Sequence, residues 1–206
     1  GGGPAGAAAA VTLARGGRSV LVVDKAHFPR DKCCGDGLTT MALRLGEHLG
    51  LDPKPLTDWQ PVDSAVVHSP SGRTIRFPLP SGDGSYAAVV PRTSYDAALL
   101  DLARSAGAEV REGCSFTSIG LPSEGAELMV EGLGEVRTSN VVAADGMWSP
   151  VRRALDLPDR EGRGEWLAFR QYVSGAGPQA ADLHVWFEAD LLPGYAWSFP
   201  LPDGRA

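Results

Sequence analysis

Residues 1–17, GGGPAGAAAAVTLARGG, join a glycine-rich turn to an alanine-rich segment with the composition of a helix. Gly1, Gly3 and Gly6 have the spacing of the turn between the first strand and the first helix of a dinucleotide-binding unit. There the first glycine permits the tight turn, the second lets a pyrophosphate approach the backbone, and the third allows close packing of helix on strand. Because such a turn normally follows a strand, we expect an internal fragment whose first strand lies upstream.

The segment after this helix contains a candidate ligand for a ribose. Residues 18–24, RSVLVVD, form a short apolar run that predicts a strand ending in Asp24. Asp24 follows Gly6 at close to the spacing of about 20 residues at which a carboxylate accepts a ribose hydroxyl in dinucleotide-binding units. The alternative is a carboxylate that caps the turn after the strand. The context favours the ribose contact.

The composition argues against several classes of protein. The chain has 206 residues, 43% of them hydrophobic, which suffices for one or two domains with a sizeable core. A formal net charge of −6 and the lack of a long Lys/Arg run argue against nucleic acid as a partner. Three cysteines form neither a disulfide framework nor a CxxC pair, which favours a reducing, cytosolic compartment. The apolar run around residues 7–11 is far shorter than the roughly 20 residues of a spanning helix.

The next loop, residues 28–38 with the sequence FPRDKCCGDGL, is rich in glycine and charge and precedes a helical pattern over residues 39–49. A nicotinamide dehydrogenase would normally continue with another strand and helix here. Together with the glycine turn and Asp24, the loop resembles the geranylgeranyl reductase family, flavoproteins that share the fold of p-hydroxybenzoate hydroxylase. The family motif Pro-x-x-Lys-Pro-Cys-Gly-x-Gly is matched at Pro29, Lys32, Cys34, Gly35 and Gly37, while Cys33 stands where proline is common.

A later segment, residues 89–110, extends the resemblance. Its apolar residues have helical spacing over Tyr95–Ala106, and a strand pattern follows. The segment resembles the family pattern Arg-x-x-(Phe/Tyr)-Asp-x-x-Leu, in which the arginine contacts the flavin. The resemblance therefore implies a flavin contact for Arg92, and the alternative is a surface arginine before a helix.

Residues 140–155 resemble the second flavin fingerprint of these proteins, Ala-Asp-Gly-x-x-Ser-x-x-Arg. The run NVVAAD predicts a buried strand that ends in Asp145-Gly146, and Ser149 followed by proline predicts a capped helix. The resemblance implies that Asp145 lies near the ribose and pyrophosphate of the cofactor.

The remaining segments predict a second, antiparallel layer. Residues 63–77 alternate around a Ser-Gly turn like a hairpin, and further strands are predicted at Trp166–Val173, Leu183–Phe187 and Tyr195–Phe199. The predicted fold class is α/β: a Rossmann-like FAD-binding domain interleaved with an antiparallel β-sheet substrate domain, with the N-terminal strand and a C-terminal part missing. The expected ranges are 1–60 and 91–160 for the FAD-binding domain, and 61–90 and 161–206 for the substrate domain.

The stretch 193–200, PGYAWSFP, resembles the family motif Tyr-x-Trp-x-Phe-Pro, found where the substrate chain passes the flavin ring. Alternation along a strand puts Tyr195, Trp197 and Phe199 on one face. They would form an aromatic wall suited to an apolar isoprenoid tail. The alternative is an aromatic stripe in the protein core.

The resemblance implies FAD as cofactor and NAD(P)H or another reductant as electron donor. Reduction of an isolated alkene adds a hydride to one carbon and a proton to the other, so the protein aligns the substrate and excludes water rather than supplying a dyad. No catalytic residue is assigned; Cys34 is a cofactor contact whose role as a proton donor stays open. The four histidines have no metal-ligand spacing. The implied cofactor contacts are Gly1, Gly3, Ala5, Gly6, Asp24, Lys25, Cys34, Gly35, Gly37, Arg92, Asp145 and Gly146.

Three hypotheses follow. The first is an FAD-dependent reductase that saturates double bonds of a prenyl chain on a polyprenyl lipid or quinone. The second is a flavin monooxygenase or halogenase of the same fold; the Tyr-x-Trp-x-Phe-Pro stretch favours the first, and the halogenase motif Trp-x-Trp-x-Ile-Pro is not found. The third is a non-catalytic, truncated FAD-binding fragment. The expected location is the cytoplasm, with no transmembrane segment and with peripheral membrane contact left open.

Overall fold

A computed structural model describes residues 1–80, 84–158 and 167–206. These residues form two compact units, each built from two separate parts of the chain. The first unit comprises residues 1–30 and 96–168, and the second comprises residues 31–95 and 169–206. The sequence is therefore interleaved between the units.

The secondary-structure elements, in chain order, mix helices and short strands. The helices are α1 (Pro4–Arg15), α2 (Thr40–His48), α3 (Arg92–Ser105) and α4 (Pro150–Ala154), with a 3₁₀ helix at Pro178–Ala181. The strands are β1 (Leu21–Asp24), β2 (Gly37–Leu38), β3 (Gln60–Pro61), β4 (Ser64–His68), β5 (Thr74–Pro78), β6 (Ala88–Val89), β7 (Glu109–Glu112), β8 (Phe116–Gly120), β9 (Ala126–Val130), β10 (Gly134–Thr138), β11 (Leu183–Trp186) and β12 (Ala196–Ser198).

The first unit begins with the predicted glycine turn and helix. Pro4 occupies the start of α1, where its missing N–H costs no helical hydrogen bond, and alanines favour the helix that follows. The helix ends at Gly16 and Gly17, and Gly17 has a positive φ of 73° that suits glycine. β1 pairs in parallel with β7, as expected for a nucleotide-binding unit, and β8, β9 and β10 form an antiparallel sheet.

The helix predicted at Tyr95–Ala106 is present as α3, but it begins three residues earlier, at Arg92. The backbone N–H groups of Ser94 and Tyr95 donate to the carbonyl of Pro91, which starts the first turn. Leu99 and Leu100 are fully buried, so the apolar spacing that predicted the helix also identifies its packed side.

The second unit contains a four-stranded sheet in the order β12-β11-β4-β5, called here the mixed sheet. The predicted hairpin is present as β4 and β5, and its turn includes Gly72 at a φ of 79°. One expectation needs correction: β12-β11 and β4-β5 pair antiparallel, but β11 and β4 pair in parallel. The two paired strands are far apart in sequence, so no tight turn forces them to be antiparallel.

Two predicted strands are absent from the described residues. Residues 140–145 form no ladder with another described strand; instead the Ala144 N–H donates to the Val142 carbonyl, a local turn. Residues 167–173 form no ladder either, and Val173 exchanges two backbone hydrogen bonds with Ala206. Apolar runs predicted both strands, but a strand also requires a partner, which sequence pattern alone does not supply. Trp166 lies outside the described residues.

The compact units group residues 31–60 with the mixed sheet, although the sequence analysis assigned them to the FAD-binding domain. The boundary expected at residue 160 lies outside the described residues. The functional domain ranges therefore stay predictions. Within the part of the chain that the structure describes, no helix has the length and apolar character needed to cross a bilayer.

Candidate functional site

The glycine turn of the first unit is shaped by close backbone contacts. A Cβ atom at Gly6 would lie 1.8 Å from the Gly1 carbonyl oxygen, and one at Gly1 would lie 2.4 Å from the Ala144 carbonyl oxygen. Neither position therefore accepts a side chain. At Gly3 the nearest atom to such a Cβ is Nη2 of Arg30, at 3.4 Å. The first and third glycines are thus required by packing, whereas a Cβ at the second would meet the end of the Arg30 side chain at an ordinary contact distance.

Asp24, the predicted ribose ligand, lies directly beside this turn. Its Oδ2 accepts a hydrogen bond from the Gly2 N–H at 2.6 Å, and its Oδ1 accepts one from the Ala26 N–H at 2.8 Å. The carboxylate thus ties the end of β1 to the glycine turn. Each carboxylate oxygen can accept a second hydrogen bond, so these contacts leave capacity for ribose hydroxyls.

The segment around Asp145 meets the same turn. A Cβ atom at Gly1 would lie 3.4 Å from the Cα of Asp145. Oδ2 of Asp145 accepts a hydrogen bond from the Val151 N–H at 2.9 Å, and the Ser149 hydroxyl caps α4 by accepting one from the Arg152 N–H. The capped helix is confirmed, and the structure brings Gly1 and Asp145 close together, a contact that the sequence did not predict.

Arg30 is a residue of this region that sequence reasoning missed. Its Nη1 is 2.8 Å from Oδ2 of Asp96, whose side chain is fully buried, and its guanidinium lies over the Phe28 ring at 4.9 Å. The ion pair holds a cationic side chain beside Gly3. Of the matched motif residues, Pro29 precedes Arg30 in the sequence and Asp96 contacts it. The spacing of the motifs does not predict this contact.

In the second unit, the Gly35–Gly37 loop packs on the aromatic strand. A Cβ at Gly35 would lie 2.7 Å from Cε2 of Phe199 and 3.0 Å from Nε1 of Trp197. One at Gly37 would lie 3.2 Å from the same Phe199 atom. Two motifs that are separated by about 160 residues in the sequence are therefore in direct contact, and glycine permits this approach.

The aromatic residues form a continuous row on one side of β12. Ring centroids are 5.8 Å apart between Tyr195 and Trp197, and 6.3 Å apart between Trp197 and Phe199. Phe187 extends the row at 5.8 Å from Tyr195. The predicted shared face is confirmed. Tyr195 is 55% exposed while Phe199 packs beside the core residues Val62, Val89 and Leu201, so the row runs from a buried to an open end.

Asp36, between the two loop glycines, is a second residue that sequence reasoning missed. Asp36 is 4% exposed. Its Oδ2 accepts a hydrogen bond from the Tyr172 hydroxyl at 2.6 Å and lies 3.4 Å from Nη1 of Arg170. Its Oδ1 accepts a hydrogen bond from the Arg92 N–H. Burial raises the pKa of Asp36, and the hydrogen bond from Tyr172 and the charge of Arg170 oppose that shift. The Gly-Asp-Gly sequence and a φ of 60° mark a turn residue, but only the fold shows its burial.

The remaining predicted contacts of the second unit lie near this loop. Arg92 is half-buried at the first position of α3, and its backbone N–H reaches Asp36. Cys34 is half-buried, whereas Cys33 is exposed and Cys114, in the first unit, is buried. Ala5, Lys25 and Gly146, which belong to the first unit, are exposed.

Two histidines form an unexpected cluster on the mixed sheet. His68 and His184 stack with each other and with Trp186, with centroids 5.0–5.2 Å apart. Nε2 of His68 is 2.9 Å from Nδ1 of His184. Burial and the neighbouring charge of His68 lower the pKa of His184. Among the described residues, no group of His, Cys, Asp and Glu side chains is arranged to hold a metal ion.

The sequence also matches a known protein family. Residues 1–189 match the FAD-binding domain family. The chain belongs to this family. The predicted resemblance to FAD-dependent flavoproteins is therefore confirmed.

Two of the relatives that match the whole chain are reductases by name. Menaquinone reductase of Mycolicibacterium smegmatis is 33% identical over 220 residues, which cover 100% of this chain and 52% of the relative. Digeranylgeranylglycerophospholipid reductase 2 of Methanopyrus kandleri is 33% identical over 214 residues, with the same coverage of 100% and 52%. The chain thus spans about half the length of the relatives it matches.

Solved structures confirm the predicted fold class. A geranylgeranyl bacteriochlorophyll reductase-like protein of Thermoplasma acidophilum has a TM-score of 0.79 at 24% identity, over 100% of this chain and 53% of that chain. A flavin-dependent halogenase has a TM-score of 0.76 at 25% identity, over 100% of this chain and 39% of that chain. Because both share the fold, the fold alone does not separate their reactions.

The glycine turn of this FAD-binding chain fits the cofactor's pyrophosphate. Among the described residues no side chain caps α1, and the N–H groups in the first turn of a helix have no partner within the helix. Such donors, aided by the helix dipole, favour phosphate. Gly3 has no side chain that could block the approach, and Asp24 has spare acceptor capacity for ribose.

Proposed function

We propose that the protein to which this chain belongs is an FAD-dependent oxidoreductase that reduces C=C bonds of a prenyl chain on a polyprenyl lipid or quinone. The observation that carries the proposal is the packing of the Gly35–Gly37 loop on Trp197 and Phe199. It joins a loop expected to contact FAD to an aromatic row expected to contact substrate. Contact between these two motifs is the arrangement that such a reaction needs.

The names of the relatives support this substrate class. One relative is named for menaquinone and the other for a lipid with geranylgeranyl groups. Both compounds carry isoprenoid chains with isolated double bonds. The faces of a row of aromatic rings provide apolar contact for such a chain.

The chain's own residues contribute binding and alignment. FAD, when bound and reduced, would supply a hydride to one alkene carbon, and a proton would add to the other carbon. We assign pyrophosphate binding to the backbone at Gly3, Ala5 and Gly6, and ribose binding to Asp24 and Asp145. Trp197 and Tyr195 hold the alkyl chain in a fixed position and exclude water, so that little reorganisation is needed when the alkene reacts. Arg92 and Cys34 stay proposed flavin contacts.

The electron donor and the cellular setting are part of the proposal. NAD(P)H or another reductant is the proposed donor. A prenylated substrate resides in a membrane, so we propose a cytoplasmic protein that contacts the membrane peripherally. The second candidate is a monooxygenase or halogenase, since a flavin-dependent halogenase has the same fold. The third candidate is a chain that binds FAD without catalysis.

The experiment compares two tryptophans in the full-length protein. In the sheet register Trp197 pairs with Val185 and Ala196 pairs with Trp186, so the two tryptophans lie on opposite faces of the mixed sheet. We expect Trp197→Ala to lower the turnover of a prenylated quinone by up to about 100-fold, because the alkene loses alignment. Flavin content should be unchanged, and Trp186→Ala should retain turnover. Equal turnover of Trp197→Ala and wild type would contradict the proposal.

A further inference from the structure

We propose that an apolar cavity beneath α2 binds an isoprenoid segment of the substrate, at a site separate from the aromatic row; this inference rests on the proposed function. The cavity lies entirely within the second unit and has a volume of about 170 Å³. Its walls are mostly apolar and include Ala42, Leu43, Gly46, Leu51, Trp59 and Tyr95.

The cavity has the size for a short alkyl group. An engineered cavity of about 150 Å³ with apolar walls stays dry and binds benzene. Benzene has six carbons and an isoprene unit has five, so one branched unit fits a cavity of this size. Glu47 and Gly84, which line the cavity, are exposed, so the cavity is open to solvent on one side and a ligand can enter there.

Small residues on α2 create the space. Gly46 is buried within the helix, where glycine is a poor helix former compared with alanine. A Cβ at Gly46 would lie 3.5 Å from Cδ2 of Leu51 and 3.9 Å from the Tyr95 hydroxyl, which are ordinary contacts. Close packing therefore does not require glycine at this position. Ala42, one turn earlier, is also small and lines the same cavity.

Two of the residues that line the cavity, Ser85 and Glu47, contact Arg44 through polar groups. Nη2 of Arg44 donates to the Ser85 carbonyl at 2.5 Å, and the guanidinium forms an ion pair with Glu47. It also lies over the Tyr86 ring at 5.9 Å. Ser85 and Glu47 both line the cavity, so these polar groups already have partners. The site therefore favours an alkyl chain over a polar ligand.

Binding to the full-length protein tests the inference without relying on reduction. The probes are xenon, located by diffraction from pressurised crystals, and geraniol, whose dissociation constant is measured by calorimetry in proteins that also carry Trp197→Ala, so that binding at the aromatic row is weakened. We expect xenon beneath α2 in the wild type. Gly46→Leu should remove that xenon and weaken geraniol at least tenfold, with Gly46→Ala intermediate. Leu45→Phe is the matched control, since Leu45 is exposed on the same helix and does not line the cavity; it should leave both probes within twofold.

The outcomes separate this inference from the proposed function. Xenon absent beneath α2, or geraniol affinity unchanged in Gly46→Leu, would overturn the cavity site even if the enzyme reduces prenyl chains. If Gly46→Leu loses both probes while the wild-type enzyme makes an oxygenated product, the proposed reaction is wrong but the cavity still binds alkyl groups. Ala42→Leu fills the cavity from the preceding turn and provides the same comparison where Gly46→Leu does not fold.

Discussion

Asp96 is a buried carboxylate that forms an ion pair with Arg30. Removing one partner of a buried pair leaves an uncompensated charge, so we expect Asp96→Ala to lower the free energy of unfolding by about 3–5 kcal/mol. Asp101→Ala is the control on the same helix, because the Asp101 side chain is 70% exposed in its pair with Arg104. It should cost at most about 1 kcal/mol. Denaturant titration measures both, and equal losses would contradict the assigned role.

The structure is compatible with both interpretations of Asp24, as a cap of the turn after β1 and as a ligand of the ribose. The carboxylate holds the Gly2 and Ala26 N–H groups and retains acceptor capacity for ribose. We expect Asp24→Ala to lower the flavin bound per protein after purification of the full-length chain, while the fold is retained. Asp203→Ala, which removes an exposed carboxylate paired with Arg205, is the control and should retain flavin. Unchanged flavin in Asp24→Ala would refute the ribose contact.

At the scale of elements, the histidine cluster of β4 and β11 predicts acid sensitivity. The pKa of His184 is lowered by burial and by His68, while the Asp182 carboxylate opposes this shift and Arg76 adds to it. The unfolded chain therefore binds a proton first as the pH falls below about 6.5, and the folded state loses stability from there downward. His184→Phe keeps a ring in the stack and should flatten the dependence of unfolding free energy on pH between 7 and 5. Parallel curves for the two proteins would contradict this.

The helices and several strands, among them β1 and the β4–β5 hairpin, were predictable from sequence, but two other predicted strands did not form among the described residues. α1, α2 and α4 follow from local signals: Pro4 after a glycine turn, a Thr39 cap and a Ser149 cap. Strand formation depends on a distant partner, so the apolar run at 140–145 predicted a strand that the described residues do not pair. The parallel pairing of β4 with β11 is equally non-local.

For the whole molecule, motif residues were predictable but their convergence was not. Spacing predicted the glycine turn and Asp24, and the family resemblance predicted Asp145 and the aromatic row of Tyr195, Trp197 and Phe199. The sequence analysis missed Arg30 and Asp36, because burial and ion pairing depend on segments that lie far apart in sequence. The contact between the Gly35–Gly37 loop and β12 likewise needed the fold.

The mass of the product made by the full-length enzyme tests the central claim most directly. The enzyme is supplied with FAD, a reductant, a prenylated quinone or lipid and isotopically labelled oxygen, and the product is analysed by mass spectrometry. Saturation of the chain predicts a gain of two hydrogens for each reduced double bond and no labelled oxygen. A product that contains the labelled oxygen, or halide when halide is supplied, would contradict the assignment of this chain to a prenyl reductase.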